Sequence, residues 1–76
     1  MKAKLMARFR DVLGDEIPIS PGMKVENVKE LVKRELMNRG ESLNEVLVAV
    51  GGSYVPDDYV IGEDDEVVIF PPVSGG

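Results

Sequence analysis

The group best placed for chemistry is the α-carboxylate of Gly76, at the end of a Gly75-Gly76 pair. Glycine has no side chain, so this end can extend fully and enter a slot too narrow for any other residue. Ser74 and Val73 precede it, and residues 73–76 span at most about 13–14 Å when extended. We therefore expect a flexible tail, 73–76, that presents a carboxylate to the sites of other proteins.

Other groups suited to catalysis are scarce. The chain of 76 residues has no Cys and no His, so it lacks a thiolate, the commonest general base and the commonest transition-metal ligand. Ser74 therefore has no histidine to activate it as a nucleophile. The acidic run 63–66 lacks EF-hand spacing and is interpreted as a solvated turn rather than a calcium loop. We expect no catalytic residues, no metal and no bound cofactor.

The distribution of charge excludes some partners. The net charge is −5, which argues against nucleic-acid binding because phosphate neutralisation needs Lys and Arg. Residues 1–40 contain all nine basic residues and six acids, whereas residues 41–76 contain eight acids and no base. The two parts of the chain are therefore expected to attract each other or to offer faces of opposite sign.

Length and hydropathy favour one small cytoplasmic domain. A chain of this length folds as a single unit with a modest core. The charged start, 1–5, does not resemble a signal peptide. The longest apolar runs are far too short to cross a bilayer, so no membrane association is expected. The lack of Cys is typical of a reducing compartment.

Hydrophobic periodicity predicts the elements that position the tail. Strict alternation over Lys2–Arg10 predicts a half-buried strand with Met6 as the one apolar residue on its outer side. Pro18 predicts an edge position for a second strand, Glu16–Ser20. A single helix is predicted over Val25–Asn38, from apolar residues at helical spacing.

Three short strands complete the predicted order. They cover Val46–Val50, Tyr54–Val55 and Glu66–Phe70, and Gly51-Gly52 joins the first two as a hairpin. Pro71 and Pro72 end the sheet because proline has no N–H for the ladder. The expected fold is α+β, a mixed sheet of four to five strands on one main helix, with the domain at 1–72.

Two segments carry a family resemblance: Ala7–Gly14 and the last strand with its tail, residues 65–76. With the predicted hairpin and helix, they resemble ubiquitin and its β-grasp relatives. The run Asp-Glu-Val-Val-Ile-Phe-Pro-Pro-Val-Ser-Gly-Gly is similar to the end of the small subunit of molybdopterin synthase. The chain is therefore identified as a member of the ubiquitin-like MoaD–ThiS sulfur-carrier family.

The resemblance implies a mechanism and partners. A ubiquitin-activating-type adenylyltransferase would use ATP to adenylate the Gly76 carboxylate, and a sulfur donor would convert it to a thiocarboxylate. The large subunit of molybdopterin synthase would accept the tail, from Pro72 through Val73, Ser74 and Gly75, and use the sulfur in molybdenum cofactor biosynthesis. The chain itself would be a non-catalytic carrier.

The resemblance also implies an apolar docking patch on Met6, Tyr54 and Phe70. The strand pattern independently places Phe70 and Val68 on the outer sheet face, next to Met6, with Arg8 beside them. A small apolar surface with a charged rim suits a transient interface. Isolated exposed apolar residues are also common without any such role.

Three alternative functions remain open at this stage. The same adenylate could react with target-protein lysines, which would make the chain a ubiquitin-like modifier. The sulfur could instead serve thiamin or tRNA thiolation. The domain could also be a plain interaction module with an inactive tail.

Overall fold

A computed structural model describes residues 1–42 and 45–72. Seven elements lie along the chain. Their order is β1 (Lys2–Leu5), α1 (Ala7–Leu13), β2 (Glu16–Pro18), α2 (Val25–Asn38), β3 (Leu47–Val50), β4 (Ser53–Tyr54) and β5 (Val67–Phe70). The strands form one five-stranded sheet in the order β2-β1-β5-β3-β4. The predicted α+β fold, a mixed sheet with one main helix, is confirmed.

Strand β5 occupies the centre of the sheet. It runs parallel to β1, with Leu5 opposite Ile69, and antiparallel to β3, with Leu47 opposite Phe70. The predicted adjacency of the first and last strands is therefore confirmed. Strand β2 lies at the edge, as Pro18 predicted, because an edge strand tolerates a missing N–H.

Helix α2 begins and ends where the periodicity predicted. At its start the Lys24 N–H donates to Asn27 Oδ1 at 3.1 Å, so Asn27 compensates for a residue that cannot cap through its own side chain. At its end the Gly40 N–H donates to the Met37 carbonyl at 3.0 Å and the Glu41 N–H to the Leu36 carbonyl at 3.1 Å. This pair of bonds is a Schellman motif, and Gly40 has the positive φ of 77° that it needs.

The prediction of a strand over Lys2–Arg10 is wrong beyond Leu5, and so is the prediction of a single helix. The Met6 N–H donates to the Ile69 carbonyl at 3.0 Å, and Ala7 then turns the chain with a positive φ of 55°. Helix α1 follows, and its Phe9 is 5% exposed. The second helix covers one end of the core because apolar side chains at Phe9, Val12 and Leu13 share one helical face.

The hairpin between β3 and β4 has the predicted two-residue turn. Gly51 and Gly52 have φ values of 60° and 85°, the combination of a type I′ turn. Any L-residue with a side chain would be strained there. The turn places Tyr54 opposite Ala49 in the ladder.

The core lies between the sheet and the two helices. All of its fully or nearly buried residues are apolar, and among the described residues no polar or charged side chain is buried. The most completely buried large side chains are Leu5, Val25, Val28, Val32, Leu36, Val46, Ile61 and Ile69. The inward side of β5 thus packs against a continuous apolar layer.

Ion pairs connect the basic first part of the chain to the acidic second part, as the charge distribution predicted. Arg8 pairs with Glu41, and Lys29 Nζ lies 2.8 Å from Asp57 Oδ1. The acidic turn is held locally, since the Tyr59 hydroxyl donates to Asp65 Oδ2 at 2.9 Å. Over the described ranges, no group of three or more acids is arranged to hold a metal ion. Neither helix there is long and apolar enough to cross a membrane.

Candidate functional site

Strand β5 connects the core to the start of the tail. Its inward residues Val67 and Ile69 are 3% and 0% exposed, whereas Val68 and Phe70 are half-buried on the other face. This alternation confirms the predicted orientation of all four residues. The chain then passes through Pro71 and Pro72, which is exposed. The predicted tail residues, Val73, Ser74, Gly75 and Gly76, lie outside the described residues.

The outer face of the sheet carries an aromatic pair near the start of the tail. The ring centroids of Tyr54 and Phe70 are 5.8 Å apart with planes at 44°, a favourable tilted contact. Tyr54 is 68% exposed. The structure therefore brings together two of the residues predicted to form the docking patch, although their role in docking stays a prediction.

Three further residues extend this pair into a continuous apolar surface. Leu47 lies opposite Phe70 in the ladder, and Ala49 lies opposite both Val68 and Tyr54. We call this group the outer apolar surface; it comprises Leu47, Ala49, Tyr54, Val68 and Phe70. Leu47 and Ala49 were not predicted as site residues, although the alternation within Val46–Val50 already separates them from the buried side of the strand.

Met6 lies at the end of β1 that faces the tail. It is 40% exposed, and its N–H bonds to the carbonyl of Ile69, the residue before Phe70. The structure thus confirms that Met6 is an exposed apolar residue beside the end of β5. Lys4 lies opposite Val68 in the ladder and supplies a charge at the border of the outer apolar surface.

The predicted position of Arg8 on the outer sheet face is wrong. Because β1 ends at Leu5, Arg8 belongs to helix α1. Its Nε–H donates to Glu41 Oε1 at 2.9 Å and its Nη2–H to Glu41 Oε2 at 3.1 Å. The hydrogen bond with Glu41, followed by the charge of Glu41, raises the pKa of Arg8 above its usual value. The Arg8 side chain is therefore held in place by its ion pair with Glu41.

A cleft of about 190 Å³ lies at the root of the tail. Its lining residues come from α1, from the end of α2, from the chain between α2 and β3, and from the residues after β5. They are Arg8, Phe9, Leu36, Glu41, Ser42, Glu45, Pro71 and Pro72. Arg8 and Pro72 thus border the same cleft, which the sequence did not indicate.

Together, the central strand and the outer apolar surface define a small β-grasp domain. Such an arrangement can bind a partner, and the sequence contains no Cys or His. Residues 3–76 match the ThiS family. The chain therefore belongs to the ThiS family.

Three solved structures are similar over almost the whole chain. A putative molybdopterin converting factor, subunit 1, from Pyrococcus furiosus has 32% identity and a TM-score of 0.69, covering 95% of each chain. SAMP1 from Haloferax volcanii has 27% identity and a TM-score of 0.67, covering 99% of this chain and 97% of that one. A small archaeal modifier protein 1 from H. volcanii, at 22% identity, a TM-score of 0.66 and 95% coverage of each chain, shares the fold.

These similarities define the general class of function. The protein is a small ubiquitin-like sulfur carrier of the MoaD/ThiS type. Small carriers of this type are generally non-catalytic. The predicted family is therefore confirmed.

Proposed function

We propose that this protein carries sulfur for molybdopterin synthesis as a thiocarboxylate on Gly76. The observation that carries the proposal is the 32% identity over 95% of each chain to the putative molybdopterin converting factor subunit from P. furiosus. The position of the outer apolar surface beside the root of the tail supports it, because docking and delivery can then use one contiguous region.

The chemistry belongs to partner proteins, and the chain supplies the carboxyl carbon. An adenylyltransferase joins the Gly76 carboxylate to the AMP portion of ATP and releases pyrophosphate. Sulfur at the oxidation level of sulfide then displaces AMP and leaves a thiocarboxylate, which is anionic and a good nucleophile. The thiocarboxylate sulfur then attacks a carbon of a pterin precursor in the synthase large subunit. Water cleaves the bond between this sulfur and the Gly76 carbonyl carbon, which leaves the sulfur on the pterin and restores the carboxylate.

The geometry of the described residues suits this role. Phe70 is the last residue of the central strand and belongs to the outer apolar surface. From there residues 71–76 reach at most about 20–22 Å. A partner that covers the aromatic pair can therefore hold its reaction centre within reach of the tail, and the rigid Pro71-Pro72 start limits the directions available.

The direct test is to co-express the full chain with its cognate adenylyltransferase and sulfur donor and to measure its intact mass. We expect an increase equal to the replacement of one oxygen by sulfur, located on Gly76 by fragmentation. Deletion of Gly76 should abolish the mass change and leave the unfolding midpoint unaltered. An unchanged mass, with a known carrier modified in parallel by the same enzymes, would overturn the proposal.

Pathway assignment needs a second measurement. We expect a strain without the gene to lose molybdenum-enzyme activity and to regain it with the wild-type chain but not with the Gly76 deletion. A requirement for thiamin, or loss of thiolated tRNA with normal molybdenum enzymes, would instead assign the carrier to those pathways.

A second candidate function is conjugation to target-protein lysines. It is favoured by the similarity to SAMP1 over 99% of this chain. In that case a lysine amine displaces AMP from the adenylate and forms an isopeptide bond. Because no Lys or Arg follows Arg39, the cellular proteome is digested with a protease that cuts after small residues such as Ser74. This digestion should leave Gly-Gly remnants on lysines that disappear when the gene is deleted. Their absence under several growth conditions would argue for sulfur transfer alone.

A further inference from the structure

Two residues that the sheet cannot hold, Pro71 and Pro72, lead from β5 into the tail. Phe70 is fixed by its ladder position opposite Leu47, but Pro71 and Pro72 have no N–H to donate to a neighbouring strand. The backbone ladder therefore does not fix their direction, and side chains that border them can influence it. Those neighbours are the walls of the cleft at the root of the tail.

Two of the residues that line the cleft, Arg8 and Glu41, form an ion pair with two hydrogen bonds. The Arg8 guanidinium donates to both carboxylate oxygens of Glu41, at 2.9 and 3.1 Å. A fork of this kind fixes the orientation of both side chains as well as their distance. It joins helix α1 to the segment after helix α2, across 33 positions of sequence.

Both partners are attached to rigid parts of the fold. Glu41 is the residue whose N–H completes the Schellman motif at the end of α2. Arg8 lies one position before Phe9, which is buried in the core. The ion pair therefore connects two fixed points beside the root of the tail.

Stability alone is a weak explanation for this pair. The Arg8 side chain is 65% exposed and that of Glu41 is 26% exposed, and exposed ion pairs contribute little to the free energy of folding. Its placement at the cleft that contains Pro71 and Pro72 gives it a second use.

We propose that the Arg8–Glu41 ion pair is a positioning element that fixes the shape of the cleft bordered by Pro71 and Pro72 and so sets the direction in which the chain leaves β5. Its importance for activity rests on the proposed function, because direction matters only if a partner must receive the Gly76 carboxylate. Arg8 and Glu41 touch neither the reacting atoms nor ATP in this role.

The first test needs no partner protein. Backbone ¹⁵N relaxation of the Val73 and Ser74 amides is measured in the wild type, in Arg8→Gln and in Glu41→Gln. We expect faster local motion of these amides in both variants. The reversed pair, Arg8→Glu with Glu41→Arg, should return the relaxation to the wild-type range.

A matched control pair lies at the C-terminal end of helix α2. Arg39 and Glu35 form an exposed i,i+4 ion pair at 3.0 Å, and neither residue lines the cleft at the root of the tail. Glu35→Gln removes a charge of the same kind and should leave the relaxation of Val73 and Ser74 unchanged. An equal effect of Glu35→Gln would overturn the proposal.

The second test measures adenylation by the cognate activating enzyme through pyrophosphate exchange. In Arg8→Gln and Glu41→Gln we expect kcat to fall about fivefold with KM unchanged, a size consistent with an exposed ion pair. KM stays constant because the outer apolar surface is intact. The reversed pair should recover kcat, and thermal unfolding should shift little in any variant.

The outcomes separate this role from its rivals and from the proposed function. Direct contact between Arg8 and a partner would raise KM and would not be rescued by the reversed pair, which would overturn the proposal. Unchanged relaxation in both single variants would do the same. If the wild-type chain is never adenylated, the proposed function fails, whereas the relaxation measurements still decide whether the ion pair orients the tail.

Discussion

The two faces of strand β5 carry similar residues in different environments. Val67 and Ile69 are packed into the core, and Val68 and Phe70, one position away from them, stay partly exposed on the outer face. All four residues are apolar. The comparison shows that hydrophobicity alone does not tell which residues hold this fold together and which are available to a partner.

What differs is the layer that covers each face. Helix α2 contributes Val28, Val32 and Leu36 to the cluster that buries the inward residues. On the outer face, the cover of Phe70 includes the ring of Tyr54, which is itself 68% exposed. The inward face therefore stabilises the fold, and the outward face keeps apolar area exposed.

The largest expected effect comes from truncating the inward face. Ile69→Ala should lower the free energy of unfolding by about 2–5 kcal/mol, because Ile69 is fully buried and its loss leaves a cavity. Its neighbour Val68 is the control, and Val68→Ala should cost less than about 1 kcal/mol. Urea-induced unfolding followed by circular dichroism gives both values. Equal losses would show that the two faces do not differ as described.

The next effect concerns the outward face. Tyr54→Ala should weaken binding to the activating enzyme about tenfold, or about 1.4 kcal/mol, since an exposed aromatic anchor is removed. The free energy of unfolding should fall by no more than about 1.5 kcal/mol, the upper range for an aromatic pair.

Met37 provides the control for Tyr54. It is also 68% exposed, but it lies on helix α2, away from the outer apolar surface. Met37→Ala should leave the affinity measured by titration calorimetry unchanged. If both substitutions weaken binding equally, the partner does not select the outer face of the sheet.

A smaller effect is expected at Ala7, whose side chain belongs to neither face of β5. Ala7 has a φ of 55°, where an L-residue is strained and glycine is not, so Ala7→Gly should stabilise the fold by about 0.5–1 kcal/mol. Affinity for the partner should not change. Ala3→Gly, at a buried position in β1 with ordinary strand geometry, should instead destabilise. Thermal unfolding of both variants distinguishes strain from a general effect of glycine.

The smallest effect is a pH dependence in the segment that leads into β5. The hydrogen bond from the Tyr59 hydroxyl to Asp65, together with burial, raises the pKa of Tyr59 above its ordinary value of 10.0. The folded state therefore retains this proton more strongly than the unfolded state. The resulting stability is present below pH 10 and is lost as pH rises through the folded-state pKa.

Tyr59→Phe should therefore show a flatter decline in stability above pH 10 than the wild type. Thermal unfolding at a series of alkaline pH values measures this difference. Identical slopes in the two proteins would show that the Tyr59–Asp65 hydrogen bond does not cause the decline.

Much of the fold could be predicted because single-period patterns cover most of the elements. The stripe over Val25–Asn38 gave the helix bounds, and the alternation in β5 gave its buried and exposed sides. The segment after Leu5 was mispredicted because Ala7 and Phe9 continue a period of two by chance. The competing signal is the helical spacing of Phe9, Val12 and Leu13. This signal is weak because the helix has only seven residues.

The candidate site was predicted less completely than the fold. Phe70 and Tyr54 could be named from the resemblance, and the outward side of Phe70 followed from the strand pattern. Leu47 joined them only when the register placed it opposite Phe70. The contact between Arg8 and Glu41 depends on the end of α2 reaching α1, a distance in sequence that no local pattern encodes.

The central position of β5 has a consequence for biosynthesis. It is the last strand of the described chain, yet it lies between β1 and β3 and joins the two halves of the sheet. While β5 is still inside the ribosome, the nascent chain can form only two separate strand pairs, β1 with β2 and β3 with β4. The pairing of β1 with β5 joins residues far apart in sequence, and such pairings form late in folding. A chain truncated before β5 would therefore lack the strand that joins the two halves of the sheet together with every residue that follows it.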